Sequence, residues 1–337
     1  MAKMKAEYYY QGLKHRGKNR RQYLVQQLAS VNRIAALWPA LANRLLQAGV
    51  TKSLLGIASQ RQLPRFARFT LTQWYAQHDP HRLPQQAEVT PSEVVLLCDP
   101  FSQYYDVDAG IAAIEFLERI GYRVTLSPCF ASLRGLISHG LLQQAQRVLQ
   151  DMLAWLAPYA GRAVPIIGLE PSELLTLRDE APDFPLAPPY AGQVQDVAQQ
   201  GLLFDEFIAQ QAQRINAMAL PWQSGSKQVY VHGHCHQKSL SGMQPTLDAL
   251  AVIPHVVINE IPSGCCGMAG LFGYEPEHYA LSLQIAELAL FPALRHADTD
   301  AVIVATGTSC RQQILHGLQR QAVHSAQLLR SSLVSRP

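Results

Sequence analysis

The chain has 337 residues, 48% of them apolar, with a net charge of +3, enough for two or three ordinary globular domains. No apolar run approaches the roughly 18 residues that span a bilayer. The start, Met1-Ala2-Lys3-Met4-Lys5-Ala6-Glu7, has no apolar signal core, so a cytoplasmic protein is expected. Six cysteines are too few for a disulfide scaffold in a chain this long; in a reducing cytosol they point to metal or redox chemistry.

Residues 1–90 read as a helical, strand-poor segment ending in a linker. Leu28, Val31, Ile34, Leu37, Leu41 and Leu45 recur at three- and four-residue spacing, predicting amphipathic helix over 23–46, interrupted at Pro39. Residues 63–69 read as an irregular bridging stretch, and 77–91, with three prolines, as the linker. Fourteen Lys and Arg face three acids in residues 1–90, a net of +11; the remainder has 14 against 22, a net of −8. A basic run, Lys14-His15-Arg16-Gly17-Lys18-Asn19-Arg20-Arg21, suits nucleic acid or an inter-domain face. No nucleic-acid fold signature accompanies it, so no nucleic-acid partner is expected.

Residues 91–227 then read as an α/β module. Strands are predicted at 93–97, 122–126 and 164–169, and helices at 110–120 and 141–157. Residues 176–192 look loop-like, and 194–218 read as one long helix. Residues 228–337 read as a second such module, with strands at 228–232, 256–258 and 301–305 and helices at 276–290 and from 309. The alternation argues for parallel sheets with right-handed crossovers, an α/β class of Rossmann-like type.

The two modules share a skeleton offset by 137 positions. Cys98 aligns with Cys235, Cys129 with Cys266, and Glu173 with Cys310. Only the second copy keeps its thiols: Cys235, Cys265, Cys266 and Cys310, each at or just beyond a predicted strand end. In open α/β sheets ligands bind outside the carboxyl ends of strands, where separate loops converge. Four thiolates suit an iron–sulfur cluster or zinc. The Gly264-Cys265-Cys266-Gly267 turn, relaxed by its glycines, favours a polynuclear cluster over one zinc ion. Were 232–236 extended, His232, His234 and His236 would share a face opposite Cys235, serving as metal-supporting or proton-handling groups. Arg311 is either an anchor for a substrate carboxylate at a helix start or a surface arginine. Pro128 and Glu173, in the slots of Cys265 and Cys310, mark the first copy as scaffold, with Cys98 and Cys129 as inert buried thiols.

The pattern Cys235…Cys265-Cys266-Gly267…Cys310 resembles the cysteine-rich CCG domains found in subunits of heterodisulfide reductase, anaerobic glycerol-3-phosphate dehydrogenase and the iron–sulfur part of glycolate oxidase. Their motif usually ends in Cys-x-x-Cys; here Gly307 stands at the first of the pair. His232-Gly233-His234-Cys235-His236-Gln237-Lys238, Gly307-Thr308-Ser309-Cys310-Arg311 and the first-copy phrase from Gly168 to Glu180 resemble the C-terminal part of bacterial FAD-linked dehydrogenases of the D-2-hydroxyglutarate/D-lactate type. The resemblance implies two tandem CCG-type modules and a 4Fe-4S-type cluster on Cys235, Cys265, Cys266 and Cys310, with His232 as a further ligand. It implies catalytic roles for His234, His236 and Arg311. FAD would lie on a flavin- and ferredoxin-bearing domain or subunit outside this chain, acting on a small 2-hydroxy acid. The chain is then a C-terminal fragment or a separately encoded partner, alone or in an oligomer, with the basic N-terminus packing on the missing domains. The alternative is a zinc-stabilised docking module without redox role.

Overall fold

The computed structural model describes residues 2–78 and 92–334; the expected linker, beyond Gln77 and His78, lies outside the described residues. Two parallel sheets form the body. The first holds β1 (Ser92–Leu97), β2 (Tyr122–Leu126), β3 (Ile166–Gly168) and β4 (Gly201–Leu203) in the order β2-β1-β3-β4. The second holds β5 (Lys227–His232), β6 (Val256–Glu260) and β7 (Val302–Ala305) in the order β6-β5-β7. Every pairing within them is parallel. Omitting β4, the two sheets have the same order, with the first strand of each in the middle. The 137-residue offset therefore corresponds to a repeated topology.

The central strands are apolar along their length because both faces are covered. Val94 to Leu97 are buried in β1, and Val229 and Val231 in β5. One continuous core joins residues of both sheets, Val94, Leu96 and Ile167 with Val229, Val231 and Val304, so the modules share their interior. Helices begin where side chains satisfy free amides: Asp99 accepts from the Phe101 and Ser102 amides at 2.7 and 3.0 Å, starting the helix Pro100–Tyr104.

Two expectations for the first module fail. Residues 194–218 are not one helix. Tyr190–Gln200 stops at Gly201, β4 runs beside β3 with Gly168 opposite Leu203, and two short helices, Phe204–Gln210 and Ala212–Ala217, follow. Glycine is a poor helix former, and the Gly-Leu-Leu segment gains a ladder and buries Leu203 instead. Residues 176–192 are likewise not all loop, since the helix Pro171–Asp179 runs into them. In the second module, the helix expected at 276–290 divides into Tyr279–Glu287 and Leu290–His296.

The N-terminal part is helical, with Arg20–Ala35, Pro39–Gln47 and Gly49–Leu55 broken at Pro39 as expected. Its amphipathic stripe, however, faces outward: Ile34, Leu37 and Leu41 are 61%, 63% and 56% exposed. Just ahead of the bridging stretch, Arg61 is fully buried. Its guanidinium donates to the Gly273 carbonyl at 2.7 Å and the Ser282 hydroxyl at 2.9 Å, tying the N-terminal part to the second module.

Candidate metal centre

The carboxyl ends of β5, β6 and β7 bring the four second-copy cysteines together. Cys235 is the first residue of the helix Cys235–Leu240. Cys265 and Cys266 form the turn after β6. Cys310 lies in the first turn of the helix Thr308–Leu318. The sulfurs form a connected chain. Cys265 is drawn far down from the usual thiol range by hydrogen bonds from Cys235 and then Cys266, helped by the Gly267 amide, which lies 3.3 Å from its sulfur. Cys310 is drawn down by Cys266 and by the His232 ring. Cys235 and Cys266 are correspondingly pushed up by their bonds to Cys265. The row runs from exposed Cys235 to buried Cys266 and Cys310.

His232 ends β5 at the buried end of this row. A ring nitrogen lies with the Cys266 and Cys310 sulfurs, all within 4.8 Å of one another. Its Nδ1 sits 2.7 Å from the Ser263 hydroxyl, while Nε2 is buried without a hydrogen-bond partner. Ser263 is held in turn by Lys238, whose ammonium donates to its carbonyl. A hydrogen-bonded imidazole with one free nitrogen is the usual form of a metal-ligating histidine. Sequence reasoning missed Ser263 and Lys238. Lys238, three residues after Cys235, was the available signal.

The extended reading of residues 232–236 is wrong. β5 ends at His232, and His234 becomes the N-cap of Cys235–Leu240, its Nδ1 accepting from the His236 amide at 3.3 Å. The three histidines therefore diverge. His232 faces the thiols. His234 approaches Glu170 and Gly307. The His236 ring, kept neutral-leaning by burial, lies with Asp179 and Glu180, their ligand atoms within 4.8 Å.

Arg311 is not a surface residue. It is 9% exposed and donates to the Ala305 and Thr306 carbonyls at 2.6 and 2.7 Å, to the Thr308 hydroxyl at 3.0 Å, and to Asp106 of the first module. Beside it Glu170, also from the first module, accepts from the Thr308 amide at 2.8 Å. Burial pushes Glu170 up, but His234, this amide and Arg311 outweigh it and hold the carboxyl below its ordinary value.

Of the two flanking glycines, one is structurally required. Gly267 has φ +86°, and a Cβ there would sit 2.1 Å from the Ser282 carbonyl oxygen, whereas Gly264 has open space. In the first module the positions aligned with the cysteines hold other contacts. Glu173 accepts from Ser132 and from the Leu133 amide at 3.0 Å, and burial pushes its carboxyl up to about 7. Cys98 is buried, 3.3 Å from Gln103 Oε1. Among the described residues, no helix is long and apolar enough to cross a membrane.

No protein-family model matches the chain. It is 27% identical over 319 residues to a D-2-hydroxyglutarate dehydrogenase of Pseudomonas putida, covering 92% of this chain and 30% of that protein. It is 26% identical over 231 residues to that of Escherichia coli K12, covering 68% and 21%. The chain is homologous to parts of these dehydrogenases. A subunit of the anaerobic glycerol-3-phosphate dehydrogenase of Escherichia coli K12 is a further relative, 26% identical over 286 residues, or 83% of this chain and 67% of that polypeptide. The chain thus spans between a fifth and a third of the hydroxyglutarate dehydrogenases it matches.

Proposed function

We propose that this chain is the iron–sulfur, CCG-type module of a flavin-dependent 2-hydroxy-acid dehydrogenase. The observation that carries the reading is the convergence of four linked cysteine sulfurs and an orphaned buried imidazole nitrogen at the carboxyl ends of three parallel strands. The donor set fits a 4Fe-4S-type cluster. Thiolates are its usual ligands, four are present, and a single ion cannot easily take both adjacent cysteines. Cys235, Cys265, Cys266 and Cys310 would hold the cluster, with His232 beside the buried pair. When bound, such a group exchanges single electrons with a flavin carried elsewhere.

The chain's own residues supply the setting. Ser263 and Lys238 fix the ring plane of His232. Gly267 permits the sharp turn and offers its amide to Cys265. Cys266 and Cys310 are shielded from water, and Cys235 faces outward toward a partner. His234 and His236 are placed to support the proton balance of the reaction, while Arg311 acts through the position of Cys310. The dehydrogenase relatives support the redox class, with the hydroxy-acid substrate, FAD and a ferredoxin-type segment belonging to the rest of the assembly.

Anaerobic reconstitution with iron and sulfide should give a brown protein with broad thiolate-to-iron absorbance and roughly four irons per chain. Cys265→Ser should abolish the colour, and Cys98→Ser should keep it. A second reading, a zinc-stabilised docking module without redox role, draws on the compact His232, Cys266 and Cys310 group, which suits tetrahedral zinc with one more thiolate. A colourless protein that retains zinc through purification and unfolds on chelation would replace the cluster by this reading.

A further inference from the structure

The N-terminal helices are mounted inside out. In Arg20–Ala35, at about 100° per residue, Tyr23, Leu24, Leu28, Val31 and Ile34 fall within an arc of about 140°. All of them are exposed. The opposite face is polar and buried. Gln22 donates to the His139 carbonyl at 3.0 Å, and Asn32 accepts from the Tyr105 hydroxyl at 2.7 Å. Pro39–Gln47 repeats the arrangement. Asn43 makes a two-way bond to the Phe66 backbone at 2.9 and 2.8 Å, and Gln47 donates to the Leu63 carbonyl at 2.9 Å, while Leu41 and Leu45 face outward. In Gly49–Leu55, Lys52 is buried and bonded to the Ser59 carbonyl, and Val50 and Leu54 are exposed. Specific hydrogen bonds hold each polar side inward, so the helices cannot bury their apolar side by rolling over.

We infer that this outward apolar face is a docking surface for the flavin-bearing partner, and that the partner covers it with an apolar patch rimmed by acidic side chains. The inference rests on the proposed redox function for the flavin; the face itself does not. Eleven large apolar residues between Tyr23 and Leu54 are exposed. At roughly 100 Å² each, scaled from large side chains, they offer on the order of 1,000 Å². Summed over the three helices, that is comparable with the ~800 Å² each partner brings to a standard interface.

Charge and position select the occupant. Residues 20–55, which carry the face, hold five Lys and Arg and no Asp or Glu, so a second copy would press two basic surfaces together, whereas an acidic rim is attracted. The face also lies against the segment that follows the thiol turn. Arg21 pairs with Glu275 at 3.0 Å and Glu277 at 2.7 Å, and the Ala58 amide donates to the Tyr274 carbonyl at 2.7 Å. A partner seated there stands next to the loop leading from Cys265 and Cys266. In the Pseudomonas putida relative, 92% of this chain is matched within a protein of which it is only 30%, so much additional polypeptide accompanies the region there. This favours a protein occupant over a lipid surface.

The test uses the full chain, tagged and expressed in its own cells, as wild type and as the Ile34→Glu, Leu41→Glu double variant. Both positions are more than half exposed, so the new charges stay in water and folding is kept, which circular dichroism checks. The wild type should co-purify a flavin-bearing polypeptide cross-linked to residues 20–55, and the variant should lose it about tenfold or more. Equal flavin recovery with the variant overturns the proposal, as does absence of any flavoprotein with the wild type. A dimer that the variant dissolves would make a second copy the occupant. Binding to anionic phospholipid vesicles that the variant abolishes, without a flavoprotein, would make it a membrane. Iron uptake by the isolated variant is read separately, so failure of the cluster and failure of the docking face remain distinguishable.

Discussion

Replacing Gly307 by alanine probes how the ligand helix of the second module is packed. Gly307 precedes Thr308–Leu318 with φ −81°, a conformation open to any residue, so the penalty is purely steric. A Cβ there would lie 2.4 Å from Cδ2 of His234 and 3.2 and 3.3 Å from Cγ and Nε2. Ordinary carbon contacts are about 3.5–4.0 Å, so the ring must retreat by an ångström or more. Retreat takes Nδ1 from the His236 amide, an N-cap bond whose loss costs about 1 kcal/mol, and strains the packing by about 1–3 kcal/mol. Gly307→Ala should therefore lose about 2–3 kcal/mol in urea unfolding. His234→Ala alone should lose about 1–2 kcal/mol, from the cap and the cavity. In the double variant the methyl enters the space the ring has left, so the losses should fall short of additivity by about 1–2 kcal/mol. Losses additive to within about 0.5 kcal/mol, or a neutral Gly307→Ala, would refute the account of His234 as the group that fills the side-chain space of position 307.

Two further outcomes are expected. Arg311→Met leaves Asp106 without its cation and three acceptors without a donor, which should cost about 3–5 kcal/mol. Combination with Asp106→Ala should recover part of that loss, and an additive result would show that the pair does not clamp the modules. Asp205 is buried, accepts from Ser325 and from Thr246 at 2.7 Å, and burial raises its carboxyl to about 6 from 3.8. Between those values the native state holds a proton that the unfolded chain has released. Its contribution to stability is therefore complete below about pH 3.8 and is lost as pH rises to about 6. That amounts to about 3 kcal/mol. Asp205→Asn removes this titration, so its stability deficit relative to wild type should shrink by about that amount between about pH 4 and pH 7.5; a deficit that is constant or grows with pH would contradict the assignment.

Six of the seven parallel strands were legible because their sequences are short, mostly apolar runs closed by turn residues, whereas their order within each sheet is seen only in the fold. The 137-residue offset showed the repetition in the residues themselves. The helix–strand–helix break at Gly201 was hidden because Leu202, Leu203, Phe207 and Ile208 fit helical spacing as well as they fit a buried three-residue strand; only pairing with β3 decides between them. At the site, the cysteines were legible from their residue type and turn setting. The histidines were not, since period-two reasoning holds only while the strand continues, and the chain turns at Gly233. Arg311 was ambiguous because its partner Asp106 is 205 positions away. For the N-terminal helices the periodicity was right, but periodicity defines two faces without saying which one is turned inward; Gln22, Asn32 and Asn43 settle that through their hydrogen bonds.

The first module does more than occupy space. Glu170, aligned with Gly307 by the 137-residue offset, reaches across to the Thr308 amide, where a carboxylate is favoured by the helix dipole. Asp106 reaches across to Arg311, one residue past Cys310. Both of these anchors of the cysteine-bearing helix thus come from the first module. Glu173, at the position of Cys310, accepts from the Leu133 amide and the Ser132 hydroxyl. The two modules are thereby joined at the helix start that carries Cys310. The helix that carries Cys310 is held at its start by first-module carboxylates, so changes at Glu170 or Asp106 should shift the Cys310 sulfur without touching it.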